Sequence, residues 1–393
     1  MKQVKILSTT DVHGYLDKGL AELPTLKERL KPNLLIDCGD FLVGSSFATF
    51  GFLNDGLSPL VTVANELAYD VMIPGNHDLD YGLAWLKEQV SALDAAYVCA
   101  NLVDRENQLI FDPFVIIEKN SVKIAVIGLM THGLSQLLPD AVVSQVKTRS
   151  PQVVLTELLP QVAEIADIVI VAYHGGLTRD PVDGKTWHYP SLEDQAYDLI
   201  AKFPEINSLI CGHQHFKNTA INAEHGTAVI QPGAFGQVAG YQIIELSNEG
   251  KKVQVLENQL LSLASQRNYT NLLEKDYQAW LSSTVNSAQL IQYIERIFEA
   301  DIYLLDYQAK TVGELSQEMM VAFPVSEHWL KGKELLEIIP FLSQTCSLSY
   351  TDDNPLEDES IYKVLATPQL IADSYLRKNF LVPLFSDFMT RDN

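Results

Sequence analysis

Phe114-Val115-Ile116-Ile117-Glu118-Lys119-Asn120-Ser121-Val122-Lys123-Ile124-Ala125-Val126-Ile127-Gly128 sets two β-rich runs about a polar turn, the signature of an antiparallel hairpin. A purely parallel sheet has no place for it. Short apolar runs and helical patterns follow one another through the rest of the first 262 residues. Antiparallel strands are therefore expected to be mixed with parallel ones. The fold class that accommodates both is α/β, with two mixed β-sheets packed face to face and helices outside them.

Working outward from the hairpin, the apolar runs end on polar residues. Tyr69–Ile73 runs into Pro74-Gly75-Asn76-His77-Asp78-Leu79-Asp80, and the helix expected next, Leu79 to Val90, carries Leu83, Leu86 and Val90 on one face. Val4–Leu7 leads to Thr10-Asp11-Val12-His13-Gly14, and Asn33–Cys38 to Gly39-Asp40. Ala96–Ala100 ends at Asn101, Asp167–Tyr173 at His174-Gly175-Gly176, and Ser208–Cys211 at Gly212-His213-Gln214-His215. Helices are expected over Leu20–Leu30, Pro59–Ala68, Val153–Ala166 and Leu192–Phe203, while Ala228–Gln231 and Tyr241–Leu246 close the sheet. In open α/β sheets the loops at such strand ends are where ligands bind.

Each piece has a plain structural reading when it stands alone. Asp-x-His can cap a turn, Gly-Asp can cap a helix, and a single histidine after a strand is usually a satisfied donor. Two points weigh the other way. If strand geometry persists past Leu7, a period of two aims Asp11 and His13 at a common point. A looped backbone can likewise bring His213 and His215 together, and two neutral imidazoles from one loop suit a transition metal.

At 393 residues and 47% hydrophobic the chain can bury a large core, and its length suggests two domains. The stretch after Met1 is too short in apolar residues for a signal peptide, and no run reaches membrane-spanning length, so a cytoplasmic location is expected. The formal charge of −22 argues against a nucleic acid polymer or an anionic membrane as partner. Cys38, Cys99, Cys211 and Cys346 are far apart without Cys-x-x-Cys spacing, which suits buried reduced thiols and neither structural zinc nor disulfides.

The strand-end inventory is Asp11, His13, Asp40, Asn76, His77, His174, His213 and His215. A cysteine-free set of oxygens and imidazoles suits manganese, iron, zinc or cobalt, and it suffices for two divalent ions if one carboxylate bridges them. Such a pair activates a shared water and neutralises the oxygens of a phosphoryl group. The local charge then becomes positive inside an acidic protein.

In their order along the chain these motifs resemble the calcineurin-like metallophosphoesterases. Asn76 through Gly82, Ala100-Asn101 and Gln231-Pro232-Gly233-Ala234-Phe235-Gly236 narrow the likeness to the branch of 5'-nucleotidases and 2',3'-cyclic-nucleotide phosphodiesterases. The resemblance implies that Asp11, His13, Asp40 and His215 hold one metal and that Asp40, Asn76, His174 and His213 hold the other. It implies that His77 faces the phosphate or the leaving oxygen and that Asp80 orients it. The reaction implied is hydrolysis of a small-molecule phosphate ester, a nucleoside monophosphate first, by in-line attack of a metal-bridging hydroxide. The alternatives are a 2',3'-cyclic-nucleotide phosphodiesterase and a non-catalytic metal-binding regulatory module.

The likeness covers the first 262 residues, the expected catalytic domain. Long amphipathic runs, Tyr269 to Leu281 and Ala288 to Phe298, then suggest a helical linker over 263–285 and a small α+β domain over 286–393. In that domain strands are expected at Ile302–Leu305 and Tyr362–Ala366, with a helix at Lys333–Ile339. Gly313-Glu314-Leu315 and Leu330 to Leu335 resemble parts of the branch's substrate domain. Where relatives carry Asn-x-Gly-Gly-x-Arg, this chain has Leu305-Asp306-Tyr307-Gln308-Ala309-Lys310, and no Gly-Gly-Asp precedes an aromatic near its C-terminus. Tyr303, Tyr307 and Tyr375 are the aromatic alternatives for stacking on a base.

Overall fold

Two mixed six-stranded sheets form the first of the two units into which the chain divides, Met1–Glu274 and Lys275–Asn393. The computed structural model describes residues 2–263, apart from 17, 54–55, 135–136, 139, 188–190 and 248–251, and four strands beyond them. In the first sheet β1 (Lys2–Thr9), β2 (Leu34–Asp37), β3 (Val71–Met72) and β4 (Ala96–Tyr97) run parallel. On the other side of β1, β13 (Val238–Leu246) and β14 (Val253–Ser262) are added antiparallel.

The second sheet has the same plan. Its parallel centre is β7 (Val122–Met130), β9 (Ile168–His174), β10 (Ser208–Cys211) and β12 (Ala228–Pro232), edged by antiparallel β6 (Phe114–Lys119) and β11 (Lys217–Ile221). β5 (Leu102–Val103) and β8 (Lys147–Thr148) make a separate ribbon. The helices are α1 (Leu23–Leu30), α2 (Ser46–Leu53), α3 (Pro59–Leu67), α4 (Leu83–Val90), α5 (Asp140–Val143), α6 (Pro151–Ile165) and α7 (Ala196–Lys202).

The central strands of the second sheet are apolar on both faces, and their period of two sorts the side chains into two cores. Ile124, Val126, Ile168 and Ile170 meet Val4, Ile6, Leu34 and Ile36 between the sheets. Their neighbours Ala125, Ile127, Val169 and Val171 turn outward onto Leu155, Leu159 and Val162 of α6 and Leu199 and Ile200 of α7. Each such aliphatic side chain contributes about 1.5–3 kcal/mol on full burial. The hairpin turns at Asn120 and Ser121, both in the left-handed region at φ 54° and 57°, which matches the twist of the strands it joins.

A polar seam also joins the sheets. Ser208 Oγ donates to Gln242 Oε1 at 2.8 Å, and Gln242 Nε2 donates to Asn258 Oδ1 at 3.1 Å. Asn258 Nδ2 then donates to Ala220 O at 2.7 Å and Val229 O at 3.0 Å. The first sheet's last two strands are thereby tied to β10, β11 and β12.

Several expectations need correction. Ala228–Gln231 and Tyr241–Leu246 do not close one sheet: β12 lies in the second and β13 in the first. The helix expected from Leu79 starts at Leu83, because the chain first makes a tight turn over His77–Leu79 and then passes Gly82 at φ 87°. The helix expected from Leu192 starts at Ala196, since the preceding backbone is held by side chains of other segments: Thr131 and Tyr173 both donate to Glu193 O. Strand geometry does not persist through Asp11 and His13, which sit at φ 50° and 51°. β11 and β14 have no counterpart in the sequence reading.

In the second unit β15 (Ile302–Asp306), β16 (Ser326–Lys331), β17 (Cys346–Tyr350) and β18 (Ile361–Ala366) form a sheet in the order β16-β18-β15-β17. β15 and β18 are parallel and the other pairs antiparallel. The amphipathic runs at 269–281 and 288–298, the helix at 333–339, residues 307–310, 313–315, 332–335 and Tyr375 lie outside the described residues, as does the side chain of Tyr303. Cys38, Cys99 and Cys211 are buried and free. Among the described residues no helix is long and apolar enough to cross a membrane.

Candidate functional site

The parallel strands of both sheets deliver their C-terminal loops to one place. β1 leads to Asp11 and His13, β2 to Asp40, β3 to Asn76 and His77, β9 ends on His174, and β10 leads to His213 and His215. Backbone bonds fasten these loops to one another. Asp11 N donates to Gly39 O at 2.9 Å, His13 N to Asp40 O at 2.8 Å, and Phe235 N to Asp11 O at 2.7 Å. A Cβ at Gly75 would collide with the carboxylate and the amide of Asp40, so glycine is what lets the third loop close on the second.

Asp11, His13, Asp40, His213 and His215 all adopt positive φ, between 50° and 71°. Non-glycine residues pay for that conformation, and such strain gathers at functional sites. It is also what turns Asp11 and His13 toward each other after the strand has ended: His13 Nε2 lies 4.0 Å from Asp11 Oδ1 and 3.7 Å from Asp40 Oδ2. His215 Nε2 is 3.1 Å from His13 Nε2 and 3.4 Å from Asp11 Oδ1. His174 Nε2 is 3.2 Å from both Asp40 Oδ2 and Asn76 Oδ1, and His213 Nδ1 is 2.9 Å from Asn76 Oδ1. Asp11, His13, Asp40, Asn76, His174, His213 and His215 thus come together, whereas Asn101 is spent on the main chain, its Nδ2 donating to Met130 O at 2.8 Å and Arg149 O at 3.1 Å.

Donor atoms of Asp11, His13 and His215 lie within 4.8 Å of one another, and so do those of Asp11, Asp40 and His174. Asp11 therefore touches both groups. The tautomers follow from the outer partners. His13 Nδ1 lies 2.9 Å from Val43 O and His174 Nδ1 2.7 Å from Cys38 O, so each Nδ1–H donates to a carbonyl and each Nε2 is left to face the cluster, as a lone pair whenever the ring is neutral. Those lone pairs face carboxylates, the Asn76 oxygen and one another. The donor set and its orientation fit divalent cations.

His77 stands apart. Its Nδ1 is 2.8 Å from Asp80 Oδ2, and its main-chain N donates to Asp40 Oδ1 at 2.8 Å. Burial disfavours charge on this ring, but the carboxylates of Asp80 and Asp40 outweigh burial and raise its pKa to about 10. Around Asp40 burial also opposes charge, yet His174, His77 and His13 hold its carboxyl well below the ordinary range.

The sequence reading passed over Asp78. Its Oδ2 accepts from Asp40 N and Gly75 N, and its Oδ1 from Leu42 N, all at 2.9 Å. It is the clasp between the second and third loops, although burial and the nearby Asp40 raise its pKa to about 7. Thr10 Oγ1 similarly steadies Asp11, donating to its Oδ2 at 2.6 Å. Asp78 sat inside the quoted turn, but nothing in spacing separates a backbone clasp from a ligand.

Over 436 residues the chain is 24% identical to a 2',3'-cyclic-nucleotide 2'-phosphodiesterase/3'-nucleotidase of Salmonella typhimurium, an alignment covering 96% of this chain and 65% of that one. It is 28% identical over 292 residues to the trifunctional nucleotide phosphoesterase protein YfkN of Bacillus subtilis, covering 63% of this chain and 19% of YfkN. The chain thus spans less than two thirds of the length of these relatives. A 5'-nucleotidase precursor from Thermus thermophilus shares the fold at a TM-score of 0.59 and 16% identity, with 94% of this chain and 90% of that one covered. Residues 4–217 match the calcineurin-like phosphoesterase model, a span that takes in every strand-end loop described above, and the chain belongs to that family.

Proposed function

We propose that the chain is a two-metal phosphoric ester hydrolase acting on nucleotides, with nucleoside monophosphates as the leading substrates. The observation that carries this is the convergence of acceptors. Nε2 of His13, His174 and His215, Nδ1 of His213, the Asn76 oxygen and the carboxylates of Asp11 and Asp40 all point at one another over 2.9 to 4.0 Å. Buried acceptors facing acceptors repel unless a proton or a cation stands between them, and a proton on His174 beside Asp40 occupies the position a divalent ion would take. In this reading Asp11, His13, Asp40 and His215 hold one ion, Asp40, Asn76, His174 and His213 hold the other, and Asp40 is shared.

Two divalent ions, when bound, supply an activated water and neutralise the phosphoryl oxygens. The chain supplies the rest. Asp80 Oδ2 accepts a hydrogen bond from His77 Nδ1–H and so orients the ring, which leaves Nε2–H to donate to the phosphoryl or leaving oxygen as its charge grows. A second substrate class is favoured by one finding: the Salmonella relative matched over 96% of the chain is named for cyclic nucleotides and 3'-nucleotides.

The test is hydrolysis by the full chain of 5'-nucleotides, 3'-nucleotides, 2',3'-cyclic nucleotides and an aryl phosphate, with Mn²⁺ and after chelation. Metal-dependent release of phosphate from nucleoside monophosphates is the expected result. Turnover confined to the cyclic esters would move the assignment to the phosphodiesterases, and turnover of none would leave a metal-binding module. His77→Ala is expected to lower kcat by about 10²–10⁴-fold while metal content stays the same.

A further inference from the structure

The imidazole of His213 is reversed relative to those of His13 and His174. Those two rings use Nδ1 on main-chain carbonyls and present Nε2 to the cluster. His213 presents Nδ1 to Asn76 Oδ1, and its Nε2 lies 2.9 Å from Glu193 Oε2. A carboxylate beside Nε2 is an acceptor for its N–H, which leaves Nδ1 turned to the cluster.

Glu193 is not among the residues singled out in the sequence. It lies in the loop between β9 and α7, and its backbone is fixed without help from its carboxylate. Glu193 O accepts from Tyr173 Oη at 2.7 Å and from Thr131 Oγ1 at 3.0 Å, and Glu193 N donates to Ser191 Oγ at 3.0 Å. On either side of it, Gly176 N donates to Asp194 Oδ1 at 2.8 Å, and Gln195 N donates to Tyr173 Oη at 3.3 Å. Across the same gap Gln214 accepts from Leu177 N at 2.8 Å and donates to Leu177 O at 3.2 Å, which fastens the histidine loop to the loop after β9. A long, flexible glutamate is thus delivered from a rigid base onto one ring nitrogen.

We infer that Glu193 is a positioning residue for the second metal site: it locks His213 in the tautomer and ring angle that offer Nδ1 as a ligand. The inference rests on the two-metal reading. Outer partners of this kind are worth about 10–100-fold in metal affinity.

The experiment is a calorimetric titration of the metal-stripped full chain with Mn²⁺, beside its melting temperature without metal. Wild-type protein is expected to take up two ions. Glu193→Ala is expected to weaken one of the two by about 10–100-fold and leave the other alone. Glu193→Gln, whose amide oxygen still accepts from Nε2–H, is expected to recover most of that loss. The metal-free melting temperature is expected to hold in both variants, because the anchors from Tyr173 and Thr131 reach the main chain. Two unaltered binding events in Glu193→Ala would overturn the inference, as would failure of the Gln variant to recover, or equal weakening of both sites with a lowered metal-free melting temperature. Failure of wild-type protein to bind two ions would sink the two-metal reading itself.

Discussion

Asp37 shows what the interior beneath the site costs. Its Oδ2 accepts from Thr9 Oγ1 at 2.6 Å and its Oδ1 from Gly39 N at 3.0 Å, but burial pushes the carboxyl well above the ordinary range against those bonds. In the unfolded chain the group ionises near pH 4, so the folded protein holds the extra proton. The stability it contributes is full below about pH 4 and is lost as pH rises toward the folded value. Asp37→Asn keeps both partners and removes the dependence. Thermal melts are expected to show an advantage over wild type that grows from about pH 5 to about pH 8. Asp78 holds more of the backbone: Asp78→Ala orphans three amides, those of Asp40, Gly75 and Leu42. A loss of about 3 kcal/mol or more in urea unfolding is expected. Neither role was readable from spacing. Ligand-type residues advertise themselves by recurring at strand ends, whereas Asp37, Asp78 and Glu193 act on partners that only the fold brings near.

Among elements, α3 matches the helix expected over Pro59–Ala68 to within a residue, and the structure gives the reason. Ser58 Oγ accepts from Leu60 N at 3.3 Å, Pro59 opens the helix, and Ser58 N donates to Gln89 Oε1 of α4 at 2.7 Å. Ser58→Ala is expected to cost about 1 kcal/mol, read from the urea midpoint. The starts of α4 and α7 were set too early because apolar periodicity continues into segments whose backbone is committed elsewhere. Asp80 is committed to His77, and Glu193 to Tyr173 and Thr131. β11, Lys217 to Ile221, escaped notice because an edge strand with alternate residues in solvent carries little apolar signal.

At the scale of the molecule, the hairpin at 114–128 was enough to demand mixed sheets. It could not say that β12 and β13 part company, because that depends on pairing with β10 and β1, which are remote in sequence. The seam through Ser208, Gln242 and Asn258 is the polar counterpart of that division. Gln242→Leu strands Ser208 Oγ in the interior and takes the donor from a half-buried Asn258 oxygen, and a loss of about 1–3 kcal/mol is expected, with calorimetry following the transition of the first unit. Under the two-metal reading, Mn²⁺ at about 100 times its Kd adds about 2.7 kcal/mol per site to the folded form. A chelator is accordingly expected to lower that transition.

The left-handed turns at His13, His213 and His215 set endurance against usefulness. Only glycine rests easily there, and each imidazole adds a lone pair to an already crowded pocket. A laboratory lineage rewarded solely for surviving heat would shed those three rings in favour of glycine and finish hardy but inert.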